Sequence, residues 1–260
     1  MVRLEPVLQR VNPPIAHLLD SVVGHVARDV TASSSYRSCV VLSPHPDDET
    51  LGCAVTIMRK LAAGTSVHVL LATDGGLSPK GRSAIENSAL RMSEFREACR
   101  VLGLADHQTH LLHFSDGSLQ LAGAQLVDAI SDVLKEIGPE EIMTTSPADP
   151  HEDHAALGVA ALTALAGTRA RLLTFPVWQQ ARPHHWKCPA LSYLRPEAVR
   201  TGEFLGRKCE ALQAYKSQFP AFSMNGTEIG GGPDSLFLRQ FLGGHEMFFP
   251  VAWNRRKSVR

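Results

Sequence analysis

An α/β fold, with a mostly parallel central sheet between two layers of helices, follows from three features of this 260-residue sequence. Short apolar runs alternate with longer segments of helical period. Polar and glycine-containing turns follow directly on the runs, as in Ser43-Pro44, Thr73-Asp74-Gly75-Gly76 and Asp116-Gly117. The run at 67–72 is nearly all apolar, as a strand covered on both faces requires. Alternation of this kind predicts a Rossmann-like three-layer arrangement.

Residues 1–37 read as a helical arm. Leu18, Leu19, Val22, Val23, Val26 and Val30 recur with a helical period, and Pro13-Pro14 suits a helix start. Residues 38–260 form the main domain. Its first strand is expected at 38–42, followed by a helix at 50–64 with Leu51, Val55, Met58 and Leu61 on one stripe and Gly64 as a cap. A strand at 67–72 leads to a long helix at 83–102, ended by Gly103. A strand at 110–114 precedes a helix at 125–137 stopped by Gly138-Pro139. The fourth strand is expected at 141–145, a helix rich in alanine and leucine from Asp153 or His154 to about 166, and a strand at 171–177. Beyond Trp178 the pattern loosens. Residues 182–189 and 226–233 read as loops, 203–217 and 234–242 as helices, and 255–260 as a basic, solvated tail.

Lysine plus arginine and aspartate plus glutamate each number 26, so the formal net charge is zero. That removes long-range attraction to nucleic acid or an anionic membrane, and no nucleic-acid partner is expected. No stretch approaches the roughly 18 apolar residues of a transmembrane helix. Five unclustered cysteines argue against a disulfide framework and for a reducing, cytoplasmic setting; Cys39, Cys53 and Cys99 read as core residues. The oligomeric state is not readable, and a homo-oligomer is compatible with the sequence. The GxGxxG turn of a dinucleotide site is missing after the first strand.

The chemistry concentrates at 44–49, Pro-His-Pro-Asp-Asp-Glu, between a strand and a helix. His45 and Asp48 are three residues apart in a turn feeding a helix and can face one point. Imidazole and carboxylate suit Zn²⁺, and another divalent transition metal such as Fe²⁺ fits the same donors. A third ligand is expected from His151-Glu152-Asp153-His154, which follows another strand. Two histidines and a carboxylate leave a coordination position open, as a catalytic metal requires. Asp47 is the spare carboxylate and a candidate general base, or else a helix N-cap. Asp74 either orients a ligand or substrate hydroxyl, or simply builds its turn with Gly75 and Gly76.

Taken together, Pro44 to Glu49, the Ala72-Thr73-Asp74-Gly75-Gly76 turn and His151-x-Asp153-His154 resemble the PIG-L/LmbE family of zinc-dependent N-acetylglucosaminyl deacetylases. The resemblance runs from Cys39 to the region of Gln218 and implies hydrolysis of the N-acetyl amide of a small aminosugar conjugate, with antibiotic biosynthesis among the family's settings. It implies His45, Asp48 and His154 as metal ligands and Asp47 as base. His151 would steady the oxyanion or protonate the leaving amine, with Asp153 tuning it. Arg91 and Glu94 would bind substrate, as would Asp74; a solvated helix face is the plainer reading of the Arg91–Glu94 pair. Two departures stand out. Glu152 replaces a proline, and Tyr215 stands where the family's Lys208-to-Gln218 segment usually has histidine. Deacylation of a long-chain N-acyl-aminosugar or of a natural-product amide is the nearest alternative, and a non-enzymatic metal- or sugar-binding protein on the same fold is another.

Overall fold

The computed structural model describes residues 27–79, 81–178, 195–219, 221–224, 227–230 and 235–252. Most of the predicted N-terminal helix, the loop at 182–189, Cys188 and the basic tail therefore lie outside the described residues. In chain order the elements are β1 (Arg28–Asp29), α1 (Thr31–Ser34), β2 (Cys39–Ser43), α2 (Asp48–Ala62), β3 (Val67–Thr73), α3 (Ala84–Leu102), β4 (Thr109–Phe114) and α4 (Leu119–Ile137). There follow β5 (Glu141–Thr145), α5 (Glu152–Ala164), β6 (Arg171–Phe175), β7 (Glu197–Arg200), α6 (Leu205–Gln213), β8 (Ala221–Met224), β9 (Thr227–Gly230), α7 (Ser235–Arg239) and β10 (His245–Pro250).

Among the described residues, eight strands form one sheet in the order β1-β7-β10-β6-β5-β2-β3-β4. The run β6-β5-β2-β3-β4 is parallel throughout. β10 is antiparallel to both β6 and β7. Chain order reverses between β2, which continues to β3 on one side, and β5 on the other. In an open α/β sheet such a reversal leaves a crevice beyond the carboxyl ends of the two strands, and ligands bind there.

Both faces of the sheet are covered. Val41, Val69 and Leu71 pack with Phe95 of α3 and Ile57 of α2 on one side. Val40, Leu42 and Leu70 pack with Ile130 of α4 and Leu157 of α5 on the other. This explains the uninterrupted burial of β2 and β5. Cys39, Cys53 and Cys99 are buried free thiols, as expected. No helix among the described residues is long and apolar enough to cross a membrane.

Some sequence expectations need correction. The helical period read through Val30 runs too far, because Arg28–Asp29 pair with β7 as a strand. The strands at 197–200 and 245–250 were not anticipated, and neither was the β8–β9 hairpin, which falls partly in the expected glycine loop. The α4 segment opens at Leu119, earlier than expected, but Gly123 has φ 46° and ψ −120°, so regular helix resumes only beyond it, near the predicted start.

Candidate active site

The turn after β2 is fastened on two sides. Ser43 Oγ donates to the carbonyl of His45 at 2.9 Å. Thr73, at the end of β3, donates its backbone N–H (3.1 Å) and its hydroxyl (2.9 Å) to the carbonyl of Pro44. The other half of the site starts α5. Thr145 Oγ1, at the end of β5, donates to the carbonyl of His154 at 2.9 Å. Gly158 lets α5 lie against this strand end; a Cβ there would be 2.7 Å from Thr145 O and Pro147 N.

Three atoms meet between these halves. His45 Nδ1 is 3.3 Å from Asp48 Oδ2. His154 Nε2 is 3.2 Å from the same oxygen and 3.2 Å from His45 Nδ1. A tetrahedral zinc with ordinary Zn–N and Zn–O bonds has ligand-to-ligand edges of about 3.3 Å. The triangle therefore has the dimensions of one face of such a site. His151 belongs to a looser group with His45 and His154, with ligand atoms within 4.8 Å of one another. A third cluster, His45, Asp116 and Asp153, gathers at the opposite nitrogen of His45. There His45 Nε2 lies 3.1 Å from Asp153 and 3.2 Å from Asp116. These carboxylates suit acceptors of one N–H, which frees Nδ1 to point its lone pair into the triangle. Asp149 faces His154 Nδ1 at 3.7 Å, an ion-pair separation rather than a hydrogen bond.

The electrostatics favour a cation. Burial works against the charge on Asp48, yet His154 and His45 outweigh it and hold its carboxyl far below the usual range. Burial lowers His154, but Asp48 and Asp149 lift it to about 9. For His45, burial is likewise overcome, by Asp116, Asp153 and Asp48, and its pKa rises well above 6.5. The triad thus attracts positive charge, and a divalent cation displaces protons from such a set.

Asp47 occupies the N-cap position of α2 without making a side-chain cap bond. Its carboxylate instead accepts from Arg91 Nη2 at 3.1 Å. Burial, reinforced by Asp48 and Glu49 and opposed by Arg91, raises its pKa to about 7. Its backbone sits at φ 128°, a conformation costing a non-glycine residue about 1–3 kcal/mol. Arg91 also donates to the carbonyl of Pro46, so it grips the loop at two points. Glu49 is fully buried.

A cavity of about 370 Å³ opens over this group. His45, Asp47, Asp48, Arg91, Asp116, His151 and His154 form its polar side; Leu51, Leu77, Val177, Trp178, Phe219 and Phe237 form an apolar wall. Half-buried His151 lines it with its ring centroid 4.7 Å from that of His154. Burial first, then the neighbouring His154 and His45, lower its pKa.

Not every expected residue arrives. Asp74 accepts from Gly76 N at 3.1 Å and lines a separate cavity with Arg96 and His113; it builds its turn. Glu94 accepts the N–H and hydroxyl of Ser217 at 2.8 and 2.6 Å and does not line the site. The hydrogen bonds of Asp153 go to His45, Gly117 N and Leu119 N, so it braces His45 rather than bonding His151. Glu152 is exposed beside Gln120 at 3.4 Å, which keeps its charge out of the cluster. Asp116 was read only as a turn residue. Its position at the end of β4, equivalent to that of Asp74 after β3, was the available signal.

Residues 40–165 match the family model described as PIG-L: GlcNAc-PI de-N-acetylase. The chain is 27% identical over 195 residues to the uncharacterized deacetylase YaiS of Escherichia coli K12, covering 72% of this chain and 95% of that protein. It is 30% identical over 137 residues to a probable N-acetyl-α-D-glucosaminyl L-malate deacetylase 2 of Bacillus cereus, covering 50% of this chain and 61% of the relative. Among solved structures, the zinc-inhibited form of the teicoplanin deacetylase Orf2 superposes with a TM-score of 0.67 at 19% identity, over 85% of this chain and all of that one. At that identity the likeness speaks for the fold.

Proposed function

We propose, for a chain whose residues 40–165 match the PIG-L family model, a metal-dependent N-deacetylase that hydrolyses the N-acetyl amide of an N-acetylglucosamine conjugate. The observation that carries this reading is the 3.2–3.3 Å triangle of His45 Nδ1, Asp48 Oδ2 and His154 Nε2 with a partly buried, spare carboxylate beside it. Two imidazoles and a carboxylate fit Zn²⁺, and Fe²⁺ suits the same donors. When bound, such an ion supplies Lewis acidity, polarising the amide carbonyl and making water a better acid.

The protein's own residues do the rest. Asp47 takes the proton of the attacking water on its carboxylate, held in place by Arg91. The water oxygen bonds to the acetyl carbon, the carbonyl electrons move onto oxygen, and the C–N bond then breaks. The departing nitrogen takes a proton from Asp47 or from His151, giving acetate and a free amine. His151 lines the cavity and suits either oxyanion stabilisation or proton donation. Asp116 and Asp153 fix the ring of His45. Arg91 is positioned for the base and borders the cavity, where a sugar hydroxyl is its natural second partner.

The apolar wall of the cavity favours a second reading for the acyl or aglycone group. Leu51, Val177, Trp178 and Phe237 offer a surface for a longer N-acyl chain or an apolar conjugate. The test is acetate and amine release across N-acetylglucosamine conjugates, alongside N-acyl analogues of increasing chain length. Release from acetamides supports the primary reading; preference for long acyl chains favours the second; no amide cleaved in the metal-loaded protein removes both.

A further inference from the structure

Tyr215 is far from Asp47 in sequence and does not line the cavity, yet its hydroxyl reaches the catalytic loop. It is fully buried just beyond α6 and donates to Glu49 Oε1 across 166 positions of chain. Thr50 Oγ1 donates to the same oxygen at 2.6 Å. The other oxygen, Oε2, accepts from the backbone N–H of Asp47 at 3.2 Å and lies 3.1 Å from Ser43 Oγ, whose proton goes to the carbonyl of His45. Glu49 is therefore a hub with one oxygen on the strained peptide and the other on Tyr215. Among the described residues no cation pairs with it, so its orientation depends on these neutral donors.

We propose that Tyr215 is a positioning residue: through Glu49 it holds Asp47 at φ 128°, where the carboxylate meets Arg91 and faces the triad. The functional part of this inference rests on Asp47 acting as the base. Its structural part does not. A relaxed Asp47 would swing its carboxylate away from Arg91, because a positive φ directs the Cβ of an L-residue along a path that ordinary φ values do not reach. Loss of one hydroxyl donor leaves Glu49 Oε1 with Thr50 alone and frees the carboxylate to rotate. The effect belongs to the alignment of the base, not to the metal ligands, since Asp48 is held by His45 and His154 on its other side.

The test compares Tyr215→Phe, Tyr215→His and Glu49→Gln in the full chain loaded with Zn²⁺. Tyr215→Phe is expected to keep its metal stoichiometry and KM while kcat falls roughly tenfold, the scale of a modest misalignment of reacting groups. Tyr215→His, which keeps an N–H donor, is expected to recover most of that loss. Tyr215→Phe combined with Glu49→Gln is expected to lose no more than the more impaired single variant, as one chain of contacts requires. Unchanged kcat in Tyr215→Phe, or fully additive losses, overturns the proposal. A crystal structure of Tyr215→Phe gives a reading independent of turnover. Asp47 should leave its positive φ or its contact with Arg91, and retention of both overturns the proposal. A wild-type protein that cleaves no amide counts against the deacetylase reading alone and leaves the crystallographic arm decisive. If Tyr215→Phe does not fold, Tyr215→His carries the test: kcat and Asp47 geometry preserved are expected, and a folded, metal-loaded protein without them overturns it.

Discussion

Asp47 and Asp48 are adjacent, chemically identical side chains, and the fold drives their acidities in opposite directions. Asp48 is buried between two imidazoles that hold it ionised, whereas Asp47 is partly buried, has Arg91 against two neighbouring acids, and desolvation lifts it to about 7. This separation of ligand from base predicts that Asp47→Asn keeps the metal and loses about 10²–10⁴ in kcat, checked by metal analysis and steady-state kinetics on one preparation. The proposed role of Asp47 as base uses its ionised form, so turnover should rise with pH along a limb at or below about 7, because a bound dication stabilises the carboxylate further. Without metal the sign of pH-dependent stability follows from His154. Burial lowers its pKa, Asp48 and Asp149 more than restore it, and the folded value of about 9 exceeds the ordinary 6.5. Its contribution is complete below pH 6.5 and is lost as pH rises through about 9. Protons and metal compete for the same atoms, so added Zn²⁺ should raise Tm more near pH 9 than near pH 6.5, measured by thermal unfolding. At this scale the sequence was most informative. The 44–49 cluster and His151-x-Asp153-His154 named the residues that meet, because their chemistry is unusual in so short a span. Asp74 and Glu94 do not line the cavity, and an aspartate before two glycines, or a glutamate on a helix face, serves a turn or a loop equally well.

The elements carrying these residues were legible wherever the local signals were strong. Ser83 and Glu86 form a reciprocal cap and Gly103 ends the helix at φ 92°, which places α3 close to its expected limits. β5 matches its expected span, and β2 lies within a residue of its own. β7 and β10 were not seen, for a physical reason. β7 has only four residues, and β10 enters antiparallel between β6 and β7, an arrangement that the alternation of helices and parallel strands does not announce. The seating of α5 on β5 makes an element-scale prediction. Gly158→Ala puts a methyl carbon 2.7 Å from two backbone atoms, which cannot rotate away as a side chain would. The helix must shift, costing about 1–3 kcal/mol in denaturant unfolding and moving His154 relative to β2. Zn²⁺ affinity should fall with it, even though no ligand is altered.

The whole molecule explains why residues more than a hundred positions apart share one site. The reversal of strand order between β2 and β5 brings the ends of these strands together, and the 44–49 turn and the start of α5 both grow from them. The antiparallel β10 adds a support that the sequence did not suggest. Glu246 on β10 accepts from Val55 N, Thr56 N and Thr56 Oγ1 within α2, while Lys208 of α6 donates to Glu246 at 2.8 Å and to the carbonyl of Leu51 at 2.7 Å. This buried pair ties β10 and α6 to the helix that begins at Asp48. Lys208→Met would leave Glu246 without its cation and should cost about 3–5 kcal/mol, read by urea unfolding. Such a network is invisible to periodicity, because each partner looks like an ordinary charged residue until the fold buries it. The proposed chemistry depends on one ion held by His45, Asp48 and His154. Its most direct measurement is acetate release from an N-acetylglucosamine conjugate by chelator-treated protein as Zn²⁺ is added back. The account predicts no turnover without metal and a linear gain that ends at one equivalent per chain; acetate release undiminished by metal removal would contradict it.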